Sequence, residues 1–492
     1  MKGIQTITSF DTKTGKEAFE TRPVQMLAEA DLPKQIESNV LGIYPEYRFQ
    51  VFDGFGCAMT ETSCYLLSRM EPEVRKAALS CWFGPEGMNA SFVRIPIDSC
   101  DYSLSEYQAV ADPIADPELK TFHIDRDRKY ILPVMKEAME LAGRPISVLL
   151  SPWSPPADWK TPPELTQNDA AVYGGMGMEV DITKAGRCFG GRLKKEYYGP
   201  WAKYLVKFIQ AYLAEGIPVT MLSVQNEANA ATSWDSCVWS GEQERTFLKD
   251  YLYPEMQAAG LTERVKLYIW DHNKERMIEH IDEMMAGGIG DLIDGFAYHW
   301  YTGDHFDALS MLHERYPDKV LMHSESCGLH IPGKVYAFEP KDAVPTDGPT
   351  PLEVDFRDAE NYAHDIIGDL NHGMNRFIDW NMIVDRTGGP RHVIGGFAAP
   401  LVAEEDGSWS KTISYHYLER IASVVHPGAV RLGRSVYRQE VEAAAMRNPD
   451  GSIGIVLLNR QKEELPVVIR MQGTLAEITL PAQTLSTILL EK

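Results

Sequence analysis

Met221-Leu222-Ser223-Val224-Gln225-Asn226-Glu227-Ala228 is an apolar, strand-like run that ends abruptly in an amide and a carboxylate. A second run, Val320-Leu321-Met322-His323-Ser324-Glu325-Ser326, has the same shape and also ends in a glutamate. Short apolar runs bounded by polar residues predict buried strands. The two runs therefore predict a pair of strand-end carboxylates, Glu227 and Glu325, provided that the rest of the fold brings them together.

The composition limits the classes of partner. A chain of 492 residues is too long for one ordinary core, but a barrel of alternating strands and helices plus one smaller domain would use that length. No apolar run approaches the roughly 20 residues that a transmembrane helix needs, so we expect no membrane insertion. The net charge of −22 repels phosphate backbones and anionic lipids. We therefore expect no nucleic-acid partner and a neutral small-molecule or oligosaccharide substrate.

Two features predict a cytoplasmic protein. The N-terminal segment 1–8 has one cation but no apolar core and no small-residue cleavage site, unlike a secretory signal. The seven cysteines are odd in number, scattered and without a C-x-x-C pair, which favours free thiols over a disulfide framework. A homo-oligomer is compatible with the sequence, and the oligomeric state stays open.

From Phe52 onward, short β-prone runs alternate with amphipathic helical stretches. Helices are predicted at 129–142, 201–215, 241–258 and 358–372, where apolar residues recur at three- and four-residue spacing. Eight strands are predicted, at 51–59, 91–98, 146–153, 218–225, 265–271, 294–300, 319–325 and 376–382. This alternation predicts an α/β fold, a (β/α)8 TIM barrel, although a doubly wound sheet shares the pattern.

The residues at the ends of these strands favour the barrel. Nearly every strand ends in a polar or aromatic cluster: Asp98-Ser99-Cys100-Asp101, Pro152-Trp153-Ser154, Asn226-Glu227, Asp271-His272-Asn273, His299-Trp300-Tyr301, Glu325-Ser326-Cys327 and Asp379-Trp380-Asn381. In such barrels the functional residues come from the C-terminal ends of several strands, which meet at one face. No G-x-G-x-x-G motif follows the first strand, which removes the main support for a dinucleotide-binding fold.

The two ends of the chain have a different pattern. Residues 1–45 carry short alternating segments and predict loops with one or two strands, whereas alternating runs at 442–447, 452–459, 465–471 and 487–490 predict an antiparallel β-domain. We therefore expect a catalytic barrel at 46–425 and a side β-sandwich built from 1–45 and 426–492. A Pro-, Asp- and Gly-rich stretch at 332–355 predicts a long loop at the barrel mouth.

A pair of strand-end glutamates is the arrangement that glycoside hydrolysis needs. One carboxylic acid protonates the leaving oxygen and a second carboxylate acts at the anomeric carbon, about 5–5.5 Å away in retaining enzymes and farther in inverting ones. In this scheme Glu227 needs a raised pKa to carry a proton, whereas Glu325 must stay ionised. The alternative for either residue alone is a surface carboxylate or the partner of a nearby arginine.

Other side chains near the strand ends predict a sugar site, because aromatic faces match the C–H faces of a pyranose. The aromatic residues are Trp153, Trp300, Tyr301 and Trp380, each of which alone would be read as packing. Asn226 and Asp101 are predicted to bind sugar hydroxyls, and their ordinary roles would be to fix a loop backbone and to cap a loop. Arg94 is costly to bury without a partner, so we expect it to pair with Glu325.

A metal site is the competing explanation for the clustered Asp, Glu and His residues. The candidates are Asp271, His272, His299, His323 and Glu325, but no H-E-x-x-H or comparably spaced ligand set occurs. No G-x-S-x-G nucleophile elbow is present either. We therefore expect neither a metal nor a cofactor in the reaction.

Seven motifs together resemble glycoside hydrolase family 30, the family that includes lysosomal glucosylceramidase. They are Phe55-Gly56-Cys57-Ala58-Met59-Thr60, Val93-Arg94-Ile95-Pro96 with Ser99-Cys100-Asp101-Tyr102, Ser151-Pro152-Trp153-Ser154-Pro155-Pro156, Gln225-Asn226-Glu227, His299-Trp300-Tyr301, Ser324-Glu325-Ser326-Cys327 and Asp379-Trp380-Asn381. The resemblance runs from about Phe52 to the C-terminus.

This resemblance implies a barrel with a side β-sandwich and a retaining mechanism, with Glu227 as acid/base and Glu325 as nucleophile. It implies that the sugar is bound by Asp101, Trp153, Asn226 and Trp380, with Tyr301 and Arg94 near the nucleophile and His299 in support. Two positions depart from the family pattern. Ala228 replaces the usual proline after the acid/base, and Ile394-Gly395-Gly396 stands where the family often has an asparagine near the sugar.

The expected activity is that of a glucosylceramidase-like, exo-acting β-glucosidase that uses a double displacement. A β-xylosidase and a β-1,6-glucanase of the same family are the alternatives, because the fold does not separate them. A catalytically silent carbohydrate-binding protein on the same barrel is the alternative from another class, and the presence of both glutamates argues against it.

Overall fold

The chain folds into a closed barrel of eight parallel strands with a β-domain at its side. The computed structural model describes residues 1–11, 13–31, 37–176, 178, 180–335 and 348–491. The barrel strands are Gly54–Ala58, Phe92–Ile97, Ser147–Pro152, Val219–Ser223, Lys266–Asn273, Gly295–His299, Val320–Glu325 and Met374–Asn381. The predicted (β/α)8 barrel is therefore confirmed, and the doubly wound alternative is excluded.

Helices follow the strands, and most of them cover the outside of the barrel. They are Glu61–Ser68, Pro72–Phe83, Asp125–Lys129, Ile131–Ala142, Gln167–Gly175, Tyr198–Ala214, Gly241–Phe247, Tyr253–Ala258, Met277–Met285, Phe306–Arg315, Pro351–Asn371 and Ile413–Ala422. The helix predicted at 241–258 is interrupted by a π-helical turn, Leu248–Leu252. A small cluster that includes Phe92, Leu149, Met221 and Tyr268 fills the inside of the barrel.

The prediction of a loop at 332–355 is wrong at the C-terminal end of this stretch. Residues 336–347 lie outside the described part of the chain, but a helix begins at Pro351. Thr350 accepts a hydrogen bond from the N–H of Glu353, whose carboxylate binds back to Thr350. This capping box, with proline at the first helical position, is a helix start signal that outweighs the loop-like composition before it.

The flanking β-domain is a ten-stranded sheet that both chain ends build. Its strands are Lys2–Phe10, Glu17–Gln25, Leu27–Ala28, Val40–Phe52, Ala429–Val436, Glu442–Arg447, Ile453–Asn459, Leu465–Met471, Thr474–Leu480 and Thr484–Glu491. The prediction of one or two N-terminal strands is wrong, because four are present. Much of Glu17–Gln25 is exposed, so it lacks the alternation of buried and exposed residues that reveals a strand.

The sandwich packs against the barrel through the long strand Val40–Phe52, which is followed after one residue by the first barrel strand. Gln50 Nε2 donates to the carbonyl of Leu370 at 2.6 Å, and Asn371 Nδ2 donates to the carbonyl of Ala443 at 2.9 Å. Both contacts join the sheet to the C-terminal end of helix Pro351–Asn371. The same helix packs against the loop after Glu325, so it connects the sandwich to the barrel mouth.

All seven cysteines are free thiols, and six of them are buried. Within the described residues, no helix has both the length and the apolar character that a membrane crossing requires.

Candidate active site

Both glutamates lie at the C-terminal mouth of the barrel and are almost buried, with 8% of Glu227 and 7% of Glu325 exposed. Glu325 is the last residue of the seventh strand. Glu227 has a left-handed backbone, with φ of 49°, and its N–H donates to the carbonyl of Asp271 at 2.8 Å. Few residues other than glycine adopt this conformation, so the backbone at Glu227 is strained. The hydrogen bond to Asp271, at the end of the neighbouring strand, stabilises it.

His299 lies between the two glutamates. Its Nδ1 atom is 3.5 Å from Oε1 of Glu227, and its Nε2 atom is 4.0 Å from Oε2 of Glu325. The Nε2 atom is also 3.2 Å from Oδ1 of Asp271. One imidazole therefore connects both predicted catalytic carboxylates to a third, deeper carboxylate.

Arg94 is fully buried beneath the site, and the predicted ion pair between Arg94 and Glu325 is present. Its Nη2 group donates to Oδ2 of Asp271 at 2.8 Å and to Oδ1 of Asn226 at 2.7 Å. From the other side, the hydroxyl of Tyr301 donates to Oε1 of Glu325 at 3.0 Å. Glu325 thus has a charged and a neutral donor on different oxygens, which fixes its orientation.

Asp271 is the centre of this polar cluster, although the sequence indicated it only as a strand-end residue and a metal candidate. It accepts hydrogen bonds from Arg94, Ser151, Ser223, His299 and Ser324. Burial favours the neutral acid, but the Arg94 guanidinium, the imidazolium of His299 and the hydroxyl of Ser223 together outweigh it and hold the pKa of Asp271 far below its ordinary value. Burial lowers the pKa of His299, and the carboxylates of Glu325, Asp271 and Glu227 outweigh that effect and raise it to about 9.

The pKa shifts of the two glutamates differ from the expectation. Burial raises the pKa of Glu325 although His299 and Arg94 oppose it. Burial acts in the same direction on Glu227, but His299 and His272 outweigh it and lower the pKa of Glu227. The expected raised pKa of Glu227 is therefore not found, because an imidazolium faces this carboxylate. The two acids repel each other, so each proton affinity depends on the charge of the other.

A cavity of about 260 Å³ opens above the two glutamates. Of the predicted sugar ligands, Asp101, Trp153, Tyr301 and Trp380 line it together with Glu227 and Glu325. The rings of Trp153 and Trp380 stack with centroids 5.1 Å apart and planes at 24°. The guanidinium of Arg94 lies 4.7 Å from the Trp153 ring centroid, so the aromatic pair rests on a buried cation.

Two residues that were predicted to bind the sugar, Asn226 and Trp300, are not among those that line this cavity. Asn226 is almost buried beside the cavity, and its amide oxygen accepts from Arg94. Trp300 lines a neighbouring cavity instead, and its ring packs on Tyr362 with centroids 4.7 Å apart. The chain turns between Trp300 and Tyr301, so that only the second aromatic side chain faces Glu325.

Sequence reasoning missed Arg391. Its Nη2 group lies 3.3 Å from Oδ2 of Asp101, and its guanidinium carbon lies 4.7 Å and 5.0 Å from the ring centroids of Tyr102 and Phe397. Burial raises the pKa of Asp101 to about 7, and Arg391 opposes that rise. Arg391 comes from a loop far from Asp101 in the chain, so no local pattern indicated their contact.

The loop that departs from the family pattern is tightly folded. Gly395 has φ of 89°, and a Cβ atom on Gly396 would lie 2.4 Å from the carbonyl oxygen of Thr387. An asparagine at either position would need the loop to move. Ile394, the remaining residue of this segment, is 44% exposed. Ala228 is buried, and its carbonyl accepts from Trp239 N–H at 2.7 Å.

The described residues contain two groups with the composition of a metal site, and each already has a cation. His323, Asp365 and Asp369 form one group, in which Lys274 Nζ lies 2.6 Å from Asp365 and 3.1 Å from Asp369. Cys188, Asp235 and His392 form the other, in which Arg187 Nε lies 2.8 Å from Asp235. Of the sequence-based metal candidates, His323 belongs to the first group.

The barrel and the paired glutamates at its mouth define the class as a glycoside hydrolase. Residues 52–417 match the model of the glycosyl hydrolase family 30 TIM-barrel domain, and residues 428–488 match that of the family 30 beta sandwich domain. The chain therefore belongs to glycoside hydrolase family 30, a retaining, β-specific family.

Relatives and solved structures agree with this assignment. Lysosomal acid glucosylceramidase of Mus musculus is 26% identical over 442 residues, which cover 87% of this chain and 79% of that protein. The crystal structure of SrfJ from Salmonella typhimurium superposes with a TM-score of 0.85 at 29% identity and covers all of both chains. The structure of the endo-beta1,6-glucanase BT3312 superposes with a TM-score of 0.78 at 25% identity, covering 100% of this chain and 99% of that chain.

Proposed function

We propose that the protein is an exo-acting β-glucosidase in which Glu325 is the nucleophile and Glu227 is the acid/base. The observation that carries this proposal is the contrast between the two carboxylates in one cavity. Glu325 is bound by Arg94 and Tyr301, which stabilise an anion, whereas Glu227 faces the imidazole of His299, a group that exchanges protons.

The proposed reaction is a double displacement. Glu325 attacks the anomeric carbon while Glu227 gives its proton to the glycosidic oxygen, so the C1–O bond breaks, the alcohol leaves and a glycosyl ester forms. Glu227, now a carboxylate, then takes a proton from water, which attacks the same carbon and releases Glu325. Loss of the Glu325 charge in the ester lowers the pKa of Glu227, which suits it to act as a base in the second step.

The shape of the cavity supports exo action. Its volume of about 260 Å³ has room for one sugar ring, and Trp153, Trp380 and Phe397 line its walls together with Asp101. Arg391 is packed behind Asp101 between two aromatic rings. A chain that extended beyond the non-reducing sugar would have to displace these buried groups.

Asp101, Trp153 and Trp380 are the proposed direct ligands of the sugar ring, and Tyr301 binds beside the nucleophile. Asn226 would hold Arg94 and offer its amide NH₂ to a hydroxyl near the anomeric carbon. Glucose is the proposed sugar because similar proteins include one named lysosomal acid glucosylceramidase. A β-1,6-glucanase is the second candidate, which the superposition with BT3312 favours, and a β-xylosidase is the third.

Trapping of a covalent intermediate tests the mechanism. A 2-deoxy-2-fluoro-β-glucosyl fluoride should inactivate the enzyme and add one fluoroglucosyl group to a peptide that contains Glu325. Inactivation with the label on another residue would contradict the assignment. A protein that binds glucose but is neither labelled nor active would be a silent carbohydrate-binding protein.

The choice of sugar has its own test. Nitrophenyl β-glucoside, xyloside, galactoside and fucoside should be compared by kcat/KM, and the glucoside is expected to be the best substrate. A higher value for the xyloside would make the third candidate correct.

Azide rescue tests the role of Glu227. Azide should restore activity to Glu227→Gly and give the β-glycosyl azide, since attack on the ester inverts its configuration.

A further inference from the structure

A second cavity lies directly beside the one that holds the two glutamates. Its volume is about 270 Å³, against about 260 Å³ for the first. Tyr301, Cys327 and Leu329 line both cavities, so the two share a wall. The remaining residues of the second cavity are Trp300, Gly303, Asp304, Asp358, Asn361, His364 and Asp365. It has room for one more group of the size of a sugar ring.

The second cavity is on the leaving-group side of the reaction centre. The proposed sugar ligands Asp101, Trp153 and Trp380 come from the ends of the second, third and eighth strands. Trp300 follows the sixth strand, and Asn361 lies on the helix that follows the seventh strand. A sugar with its ring hydroxyls toward Asp101 and C1 beside Glu325 therefore directs its leaving group over Tyr301.

The side chains of the second cavity suit a neutral sugar. Trp300 is partly exposed, and its ring is supported from behind by Tyr362. The lining also contains the amide of Asn361, the imidazole of His364 and three carboxylates. An aromatic face beside amide and carboxylate groups matches the C–H face and the hydroxyls of a pyranose.

Asp365 is a nearly buried carboxylate in the lining of the second cavity. It is 5% exposed, and its Oδ1 atom lies 2.6 Å from Lys274 Nζ. Its Oδ2 atom is buried and lies 3.3 Å from Nδ1 of His323. An alkyl chain in this cavity would lie against the polar lining of Asp304, Asp358 and Asp365, whereas a sugar offers hydroxyl groups to it.

We propose that this second cavity is an acceptor subsite for a neutral sugar, so that the substrates are β-linked disaccharides or short oligosaccharides rather than lipid glucosides. The inference rests on the proposed function of the first cavity. It also gives Trp300 a role, because its ring becomes the platform for the leaving sugar.

Reactivation of the trapped enzyme tests acceptor binding directly. The 2-fluoroglucosyl enzyme should be incubated with glucose, with cellobiose or with octanol, and the return of activity followed. The sugars should accelerate reactivation with saturation, and Trp300→Ala should raise the half-saturating sugar concentration by about tenfold through loss of stacking. Tyr437→Ala, which removes an exposed aromatic residue of the sandwich, is the matched control and should behave as wild type. Faster reactivation by octanol than by sugars, or no effect of Trp300→Ala, would overturn the proposal.

Comparison of substrates separates this inference from the proposed function. β-Glucosyl fluoride has a leaving group too small to reach the second cavity, so it reports the first cavity alone. Wild type should have a higher kcat/KM for gentiobiose than for octyl β-glucoside, and Trp300→Ala should lower the gentiobiose value far more than the fluoride value. Activity on the fluoride with a preference for octyl glucoside would overturn the acceptor subsite only. No activity on the fluoride would overturn the proposed function itself.

Discussion

Nδ1 of His299 lies 3.5 Å from Oε1 of Glu227, and this contact sets the proton affinity of the proposed acid/base. The pKa of His299 is raised to about 9 by Glu325, Asp271 and Glu227, against the effect of burial, so the ring is a cation near neutral pH. A cation at this distance favours the carboxylate form of Glu227 and shortens the pH range in which it holds a proton. His299 therefore limits how far into the alkaline range the first step proceeds.

His299→Asn should move the alkaline limb of the kcat/KM profile to higher pH by roughly one unit, because Glu227 loses a neighbouring cation and keeps its proton longer. The measurement is kcat/KM for a β-glucoside between about pH 4 and pH 10. His272→Asn is the matched control. Burial lowers the pKa of His272, so its ring carries less charge, and its removal should shift the limb less. A shift to lower pH in His299→Asn would contradict the role given to this ring.

Much of this site could be predicted from the sequence, because the barrel strands are recognisable as short apolar runs. The runs at Val219–Ser223 and Val320–Glu325 are apolar, and polar residues follow both directly. In a closed parallel barrel such strand ends meet at one mouth, so the positions of Glu227 and Glu325 follow from local patterns plus one topological rule. The contact between Arg94 and Glu325 was also predictable, because a buried arginine needs a carboxylate.

Other features depend on contacts that no local pattern encodes. Arg391 reaches Asp101 across 290 positions of sequence, through a loop whose path is set by Gly388, Gly395 and Gly396. Trp300 and Tyr301 are adjacent, yet Tyr301 lines both cavities whereas Trp300 lines the second and not the first. Both aromatic residues were predicted to bind the sugar, and only the three-dimensional path of the chain distinguishes them.

Arg391→Met should raise the pKa of Asp101 above its present value of about 7, because the mutation removes a cation that opposes the effect of burial. Asp101 would then be largely protonated at neutral pH, so KM should rise there and recover as the pH increases. The acid limb of kcat/KM is expected to shift upward by roughly one unit. Arg391→Lys keeps the charge and should retain most of the wild-type profile. A uniform loss of kcat with no change in the limb would contradict this account.

Arg94→Met should destabilise the protein by about 3–5 kcal/mol, because the buried carboxylates of Asp271 and Glu325 lose the guanidinium that pairs with both of them. It should also abolish most activity, since Glu325 loses its donor. Arg187→Met is a matched control, because Arg187 is equally buried and pairs with Asp235 outside the catalytic cavity. Urea unfolding should show similar destabilisation in both variants, whereas kcat should fall far more in Arg94→Met. Equal losses of kcat would indicate a purely structural role for Arg94.

His330 connects the loop after Glu325 to helix Pro351–Asn371. Its Nε2 atom lies 2.6 Å from Asp355 and its Nδ1 atom lies 2.8 Å from Asp358, so both ring nitrogens face carboxylates. Burial lowers the pKa of His330, but these two contacts outweigh it and raise the pKa to about 9. His330 is therefore an imidazolium between two anions, and we call this arrangement the imidazolium clamp. It fixes the loop after Glu325, whose residues Cys327 and Leu329 line both cavities.

The free energy of unfolding should fall between about pH 6.5 and pH 9, because above pH 6.5 the folded protein holds the His330 proton that the unfolded chain has lost. The contribution is fully present below pH 6.5, and its size is on the order of 2–3 kcal/mol. His330→Asn should flatten this part of the stability profile measured by urea unfolding at several pH values. His313→Asn is the control, because burial lowers the pKa of His313 and removes it from this range. His299, His323, His364 and His392 also have raised pKa values, so His330→Asn should remove one part of the slope and leave the rest. A profile that keeps its full slope without His330 would show that the imidazolium clamp does not form.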